Sequence, residues 1–217
     1  MRIEPRFGPA LRVLGFAACV AGCNAVSAAD AQTIVEEWAS VKVPPPPALK
    51  PVTVDPKVTA LVLLDFNQQT CNEQRRPRCV ASIPKVQRLL GAARKAGLPV
   101  AFTLGGGGKP ADLPATLAPA SGEPIVSSGV DKFRNTDLEH FLRSKGVTTV
   151  IMVGAAANGA VLYTASTAAM LGFKVIVPVD GMSADSAYPE QYTAWHLANA
   201  PVISPAMTLT TIDEVKF

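Results

Sequence analysis

Histidine is almost missing from this chain, with two in 217 residues, which argues against a His-rich metal centre. Charge is scarce as well. Asp, Glu, Lys and Arg make up 17% of the residues, and 20 basic against 17 acidic side chains give a formal net charge of only +3. Nucleic-acid binders carry a clustered basic surface, so no nucleic-acid partner is expected. No fixed period runs along the chain, which excludes collagen, coiled-coil and repeat architectures. Gly108-Lys109 is followed by Pro110 where a Walker loop needs Ser or Thr, so no nucleotide loop is read there. No cofactor and no metal are expected. What remains is a chain that is 48% hydrophobic, suited to one folded domain with a sizeable core and too short for two comfortable ones.

The first 29 residues read as an export signal. Arg2, Arg6 and Arg12 form a basic start, Val13 to Ala21 is an apolar run too short to span a bilayer, and small residues allow cleavage near Ala28 or Ala29. A second reading lies inside the first. Val20-Ala21-Gly22-Cys23 is similar to a bacterial lipobox, which would lipidate Cys23. The expected location is periplasmic or secreted in one case and membrane-anchored in the other. Removing residues 1–29 takes away three Arg and Glu4, leaving 17 basic against 16 acidic side chains, or +1. It also leaves Cys71 and Cys79 as the remaining thiols. In an oxidising compartment they are expected to pair across a short loop, with a redox or reactive thiol as the alternative.

Residues 30–53 read as a linker: a short helical stretch, then Pro44-Pro45-Pro46-Pro47 and Pro51, a stiff polyproline spacer. The domain is expected over 54–217, where strand-like and helix-like runs alternate. Val58 to Leu64, Pro99 to Leu104, Val147 to Val153 and Lys174 to Val179 read as strands, with a short strand at Met207 to Thr211. Helices are expected over Ile83 to Ala96, from a Thr136-to-Glu139 capping box to Gly146, over Asn158 to Leu171, and over Tyr188 to Asn199. This alternation implies an α/β fold, a doubly wound, mostly parallel sheet with helices on both faces in a Rossmann-type three-layer arrangement. Ligands of such sheets bind beyond the carboxyl ends of the strands, which directs attention to Asp65, Gly105 to Gly108, Gly154 to Ala160, and Asp180 to Ser183.

Asp65 ends an apolar strand, where a carboxylate stands either at the mouth of the sheet or as a simple loop cap. Lys132 precedes the capped helix, as a site residue or a surface cation. Ala156, Ala157, Asn158, Gly159 and Ala160 lead from a strand into a helix. Small residues there let backbone N–H groups approach an anion, although tight helix-to-sheet packing also calls for them. Asn158 is read as a substrate-orienting residue or an N-cap. Asp180, with Met182 and Ser183, is a candidate substrate contact. His140 and His196 read as ordinary helix residues.

Four pieces in order carry a family resemblance: Ala60-Leu61-Val62-Leu63-Leu64-Asp65; Lys132-Phe133-Arg134-Asn135-Thr136-Asp137-Leu138; Val153-Gly154 with its helix through Thr164-Ala165; and Gly172-Phe173-Lys174-Val175. The chain resembles the isochorismatase-like, or cysteine hydrolase, superfamily, whose members use an Asp, Lys and Cys triad on a doubly wound sheet. The resemblance places the Asp on Asp65, the Lys on Lys132 and the nucleophile on Ala160. A methyl group cannot attack a carbonyl as a thiolate does, and Ala157 departs from the family's Thr. Nicotinamidases of that superfamily bind a metal after the second strand, whereas Gly105-Gly106-Gly107-Gly108 offers no ligand. True isochorismatases also lack the Cys and hydrolyse a vinyl ether by proton transfer, which asks only for a positioned acid and an electrostatic partner. The resemblance therefore implies a hydrolase acting on a small anionic molecule through Asp65 and Lys132. The alternative is an inactive relative that binds a small molecule or partner protein. By family analogy a homo-oligomer is expected.

Intact-mass analysis of the exported protein checks the N-terminal reading. A start at Ala29 or Asp30, or a lipid-modified Cys23, is expected; retention of Arg2 to Arg12 overturns both.

Overall fold

The computed structural model describes residues 33–217. The export signal, the lipobox cysteine and residues 30–32 of the linker lie outside the described residues. Residues 44–217 form one compact unit. Ahead of it, the helical stretch expected after the signal is a single turn, α1 (Ile34–Glu37), with Thr33 and Glu36 forming its capping box.

The compact unit is built on a parallel sheet. Its members are β2 (Thr59–Leu64), β3 (Val100–Leu104), β4 (Ile125–Ser127), β5 (Thr149–Ala155), β6 (Lys174–Pro178) and β8 (Met207–Thr210), in the order β4-β3-β2-β5-β6-β8. A short β7 (Met182–Ser183) pairs with the end of β5. β1 (Val52–Thr53) and β9 (Val215–Lys216) form a separate parallel pair. The doubly wound α/β expectation holds. From β2 the chain winds one way through β3 and β4, then returns to build β5, β6 and β8 on the other side. The order therefore reverses between β2 and β5, and a crevice at their carboxyl ends is where such sheets bind ligands.

Alternation along the strands builds two cores. Ala60, Val62, Leu64, Val150 and Met152 face one way, against α3 (Leu138–Ser144), α4 (Leu162–Met170) and α5 (Ala187–Asn199). Leu61, Leu63, Ile151 and Val153 face the other, against Val86, Leu89, Leu90 and Ala93 of α2 (Pro77–Lys95). Both faces of each central strand are apolar because both are covered.

Several details depart from expectation. Helix α2 begins at Pro77 and not at Ile83, with Pro84 inside it; an interior proline normally signals a helix end, which hides the first two turns from a sequence reading. The loop after β3 contains the three-residue strand β4. The capping box at Thr136 does not form. Asp137 is the N-cap of α3, and Thr136 Oγ1 instead donates to Lys132 O at 2.5 Å. The linker expected over 30–53 joins the fold before its end, because Lys50 N donates to Leu209 O at 2.9 Å and Val52 pairs with Val215. Pro45 to Pro47 line an open groove with Trp195 and Leu209, so the proline tract runs beside the outermost strand of the sheet. Cys71 and Cys79 form a disulfide with Cα atoms 5.5 Å apart.

The crossing of β2 and β5 depends on one glycine. Gly154 pairs with Leu64 and has φ of 144°, and a Cβ there would stand 2.0 Å from Leu64 O. Gly154→Ala is expected to destabilise the fold by roughly 3 kcal/mol or more, through backbone strain and the forced separation of the two strands. Urea unfolding measures it, and a loss under about 1 kcal/mol contradicts the close-approach argument.

Candidate active site

Asp65 is the first residue beyond β2 and sits in the left-handed region, φ 54°. A non-glycine residue holds that conformation at a cost unless its surroundings fix it, and here the N–H and both carboxylate oxygens of Asp65 are engaged. Its N–H donates to Thr103 Oγ1 at 3.1 Å and to Thr103 O at 3.2 Å. Thr103 Oγ1 in turn donates to Asp65 Oδ1 at 2.5 Å. The other carboxylate oxygen, Oδ2, lies 2.7 Å from Lys132 Nζ. Gly105 closes the remaining side, where a Cβ would stand 2.4 Å from Oδ2.

Lys132 is not the surface cation its position allowed. It is 1% exposed, and its ammonium also donates to Ser128 O at 3.2 Å. The backbone around it is tied from two directions: Lys132 N donates to Thr164 Oγ1 on α4 at 3.2 Å, and Lys132 O accepts from Thr136. Two opposite charges, both nearly out of water, are held at the reversal point of the sheet. Burial pushes the Asp65 carboxyl above the usual carboxylate range, an effect opposed by the charge and hydrogen bond of Lys132, by the Thr103 hydroxyl and, last, by the charge of Arg76. Removing one member of such a pair strands the other, at a cost of about 3–5 kcal/mol.

The chain enters α4 through a wide first turn, Ala157–Val161, with Gly159 N and Val161 N both bonded to Ala156 O. Those two donors are occupied, which narrows the expected anion cradle. Ala156 and Gly159 are half-buried, Ala157 is buried and Asn158 is exposed. Ala156, not Asn158, is the N-cap residue. Ala160 is buried at 3% exposure in the core that also holds Leu64, Phe133 and Leu138, four residues before the Thr164 that holds Lys132. The sequence-derived set is thus partly gathered: Asp65 and Lys132 touch, and the Ala160 turn leads into the helix that fixes Lys132.

Asp180 is engaged within the protein. Its Oδ1 accepts from Ile212 N at 2.8 Å and its Oδ2 from Lys85 Nζ at 2.9 Å. Met182 is packed in the core. Ser183 is 2% exposed, and its hydroxyl has no protein partner. His140 is exposed and His196 half-buried against Tyr192. No cluster able to hold a metal ion occurs among the described residues.

Three polar residues escaped the sequence reading. Thr103 interrupts an apolar strand, which was the available signal. Asn67 donates through Nδ2 to Gly105 O at 2.9 Å and accepts from Gly105 N at 3.1 Å, locking the glycine loop to the Asp65 loop. Arg76, 7% exposed, lies inside the disulfide-closed loop, and nothing in the local sequence marks it as buried.

The isochorismatase-domain family model matches residues 59–209. The chain belongs to the isochorismatase family. A curated relative, an N-carbamoylsarcosine amidase from Arthrobacter, is 33% identical over a region that is 44% of this chain, and the chain spans 47% of that relative's length. Among solved structures, an isochorismatase family protein from Desulfovibrio vulgaris is 21% identical, with a TM-score of 0.64 over 72% of this chain and 95% of that one. An N-carbamoylsarcosine amidase from Thermoplasma acidophilum is 20% identical, with a TM-score of 0.64 over 74% and 99%. These two share the fold of this isochorismatase domain.

Thr103→Val tests the electrostatics of the pair. Loss of the hydroxyl removes a hydrogen bond to the ionised carboxylate, so the Asp65 pKa is expected to rise further. With its folded pKa above the unfolded value, the stability this carboxyl contributes is full below the unfolded pKa and is lost as pH rises through the folded one. NMR titration of the Asp65 carboxyl carbon reads the shift, and an unchanged or lowered midpoint contradicts the assigned role of Thr103.

Proposed function

We propose that this protein is a hydrolase of small anionic molecules that works through Asp65 and Lys132 without a thiol nucleophile. The observation that carries this reading is the buried carboxylate–ammonium pair at the reversal point of the sheet, tied to the helix that follows Ala160, the residue the resemblance puts at the nucleophile position. Buried carboxyls with raised proton affinity are suited to act as acids near neutral pH. In the reaction that best fits, Asp65 first takes up a proton, the form that burial favours, and then gives it to the alkene carbon of a vinyl ether. Lys132 steadies the carboxylate left behind. Water adds to the oxocarbenium carbon and loses a proton to Asp65, and the hemiketal then breaks to a ketone and an alcohol. The sum is addition of one water, and the acid is restored.

Hydrolysis of a carbamoyl or amide group, the chemistry named for the Arthrobacter relative, would here have to use water directly, because Ala160 offers no nucleophile. The disulfide supports the reading of an exported protein, since such bonds persist in oxidising compartments. The buried Ala160 methyl also favours a second reading, a family member that binds its ligand without turning it over.

Turnover of isochorismate, N-carbamoylsarcosine, and simple vinyl ethers and esters by the mature protein, beside Asp65→Asn, tests the proposal. Loss of an Asp65 acid is expected to lower the rate about 10²–10⁴-fold. The wild-type rate should also fall as pH rises through the elevated Asp65 pKa, and Asp65→Asn should lose that limb. Undiminished activity in Asp65→Asn overturns the mechanism, and no turnover of any substrate by folded protein favours the binding reading.

A further inference from the structure

A second buried cation lies near enough to the Asp65–Lys132 pair for its charge to act on Asp65. Arg76 is held in the loop that the Cys71–Cys79 disulfide closes, immediately before α2. Its Nη1 donates to Thr70 O at 2.9 Å. Thr70 is itself a neighbour of the site: its hydroxyl and Asp65 Oδ2 flank the same space, 3.4 and 2.4 Å from where a Cβ on Gly105 would stand. The guanidinium is therefore anchored on the residue whose side chain lies next to the Asp65 carboxylate, and its charge is felt there.

The partner of Arg76 is unequal to it. Asp185 Oδ1 approaches Nε to 2.6 Å, but the arginine side chain is 8% exposed and the aspartate side chain 58%. The approach is also off the line of the N–H, so this buried donor has a charge beside it and no aligned acceptor. Asp185 follows β7, which pairs with Gly154 and Ala155 at the end of β5, so both members of the pair stand at the rim where the sheet order reverses. A buried guanidinium cannot be left without a counter-charge, whereas a carboxylate already more than half in water loses little by swinging out. Arginine also prefers a carboxylate that meets two of its N–H groups at once. Asp185 does not provide that geometry.

We propose that Arg76 is the anion-recognising residue of this site, and that Asp185 is an internal carboxylate which the carboxylate of the substrate displaces. This rests on the reading of Asp65 and Lys132 as the reacting pair and adds the substrate class: small carboxylic acids, with the acid group bound at Arg76 and the scissile group toward Asp65. Arg75, exposed on the same loop, adds positive charge at the approach. Arg78 is already neutralised by Glu190, at 2.8 and 2.5 Å.

The test is calorimetric binding of acetate, succinate and benzoate, each beside its primary amide, to wild type, Asp185→Asn and Arg76→Gln. Thermal melts establish that each variant is folded, and the exposed Asp185→Asn keeps the test alive if Arg76→Gln fails to fold. The carboxylates are expected to bind wild type more tightly than their amides. Asp185→Asn should tighten carboxylates about threefold or more and leave amides unchanged, while Arg76→Gln should weaken carboxylates about tenfold. Saturable binding by none of the three carboxylates, equal binding of acids and amides, or weaker carboxylate binding in Asp185→Asn overturns the proposal. Because binding is read without turnover, carboxylates that bind as expected to a protein with no activity sink the hydrolase reading and spare the anchor. Turnover of uncharged substrates, indifferent to Arg76→Gln, sinks the anchor alone.

Discussion

Two opposite charges held out of water, Asp65 and Lys132, dictate much of what surrounds them. A buried carboxylate and a buried ammonium are tolerable only if both are paired and their remaining hydrogen-bonding positions are filled. Thr103 and Ser128 fill positions on each partner, and Thr164 and Thr136 fix the lysine backbone. Gly105 is required because any side chain there would collide with the carboxylate. One ion pair thus accounts for Thr103, Ser128, Thr136, Thr164 and Gly105. The pair itself has no structural advantage over a hydrophobic packing of the same volume, and that is the physical reason to read it as a site.

The sheet determines where this pair can exist. Reversal of strand order between β2 and β5 leaves the ends of two central strands without a crossover helix above them. Asp65 leaves one strand end and the Ala155–Gly159 segment leaves the other. Gly154 permits the approach of the two strands that brings these ends together. Around this centre the loops are tied to one another and not left to swing. Asn67 holds the glycine loop, Gln69 reaches Asp112 at 2.7 Å, and the disulfide closes the segment that presents Arg76. Such a rim is preorganised, and the weakly held group at its edge is Asp185.

Membership of the isochorismatase family and the identity of residue 160 pull in different directions. The family fold is intact from β2 to β8, while the position that the resemblance assigns to a nucleophile carries a buried methyl group. In the proposed reading, a missing thiol removes covalent catalysis and leaves proton transfer, because Asp65 and Lys132 come from different strands and loops than residue 160 does. Whatever residue 160 does, Asp65 and Lys132 remain fully supported by their own neighbours.

The sequence by itself determined the alternation of strands and helices and the doubly wound sheet, and made a Cys71–Cys79 disulfide the expected outcome, which the structure contains. Each follows from local periodicity, strand-end punctuation or a count of thiols. Resemblance added Asp65 and Lys132 as partners. The sequence could not show that Lys132 is buried, since a lysine in a loop is ordinarily a surface residue and only the packing of α4 over its loop removes it from water. Pro84 hid the start of α2, because proline breaks a helix in general and this helix accommodates one. Thr136 looked like a helix cap and became a support for Lys132. Asp180 looked like a ligand contact and was taken up by Lys85 and Ile212. Thr103, Asn67 and Arg76 acquire their meaning from residues 38, 38 and 6 positions away. Hydrogen bonds and charge pairs form between groups that folding brings together, so local pattern determined the framework and tertiary contact decided which polar residues make the site.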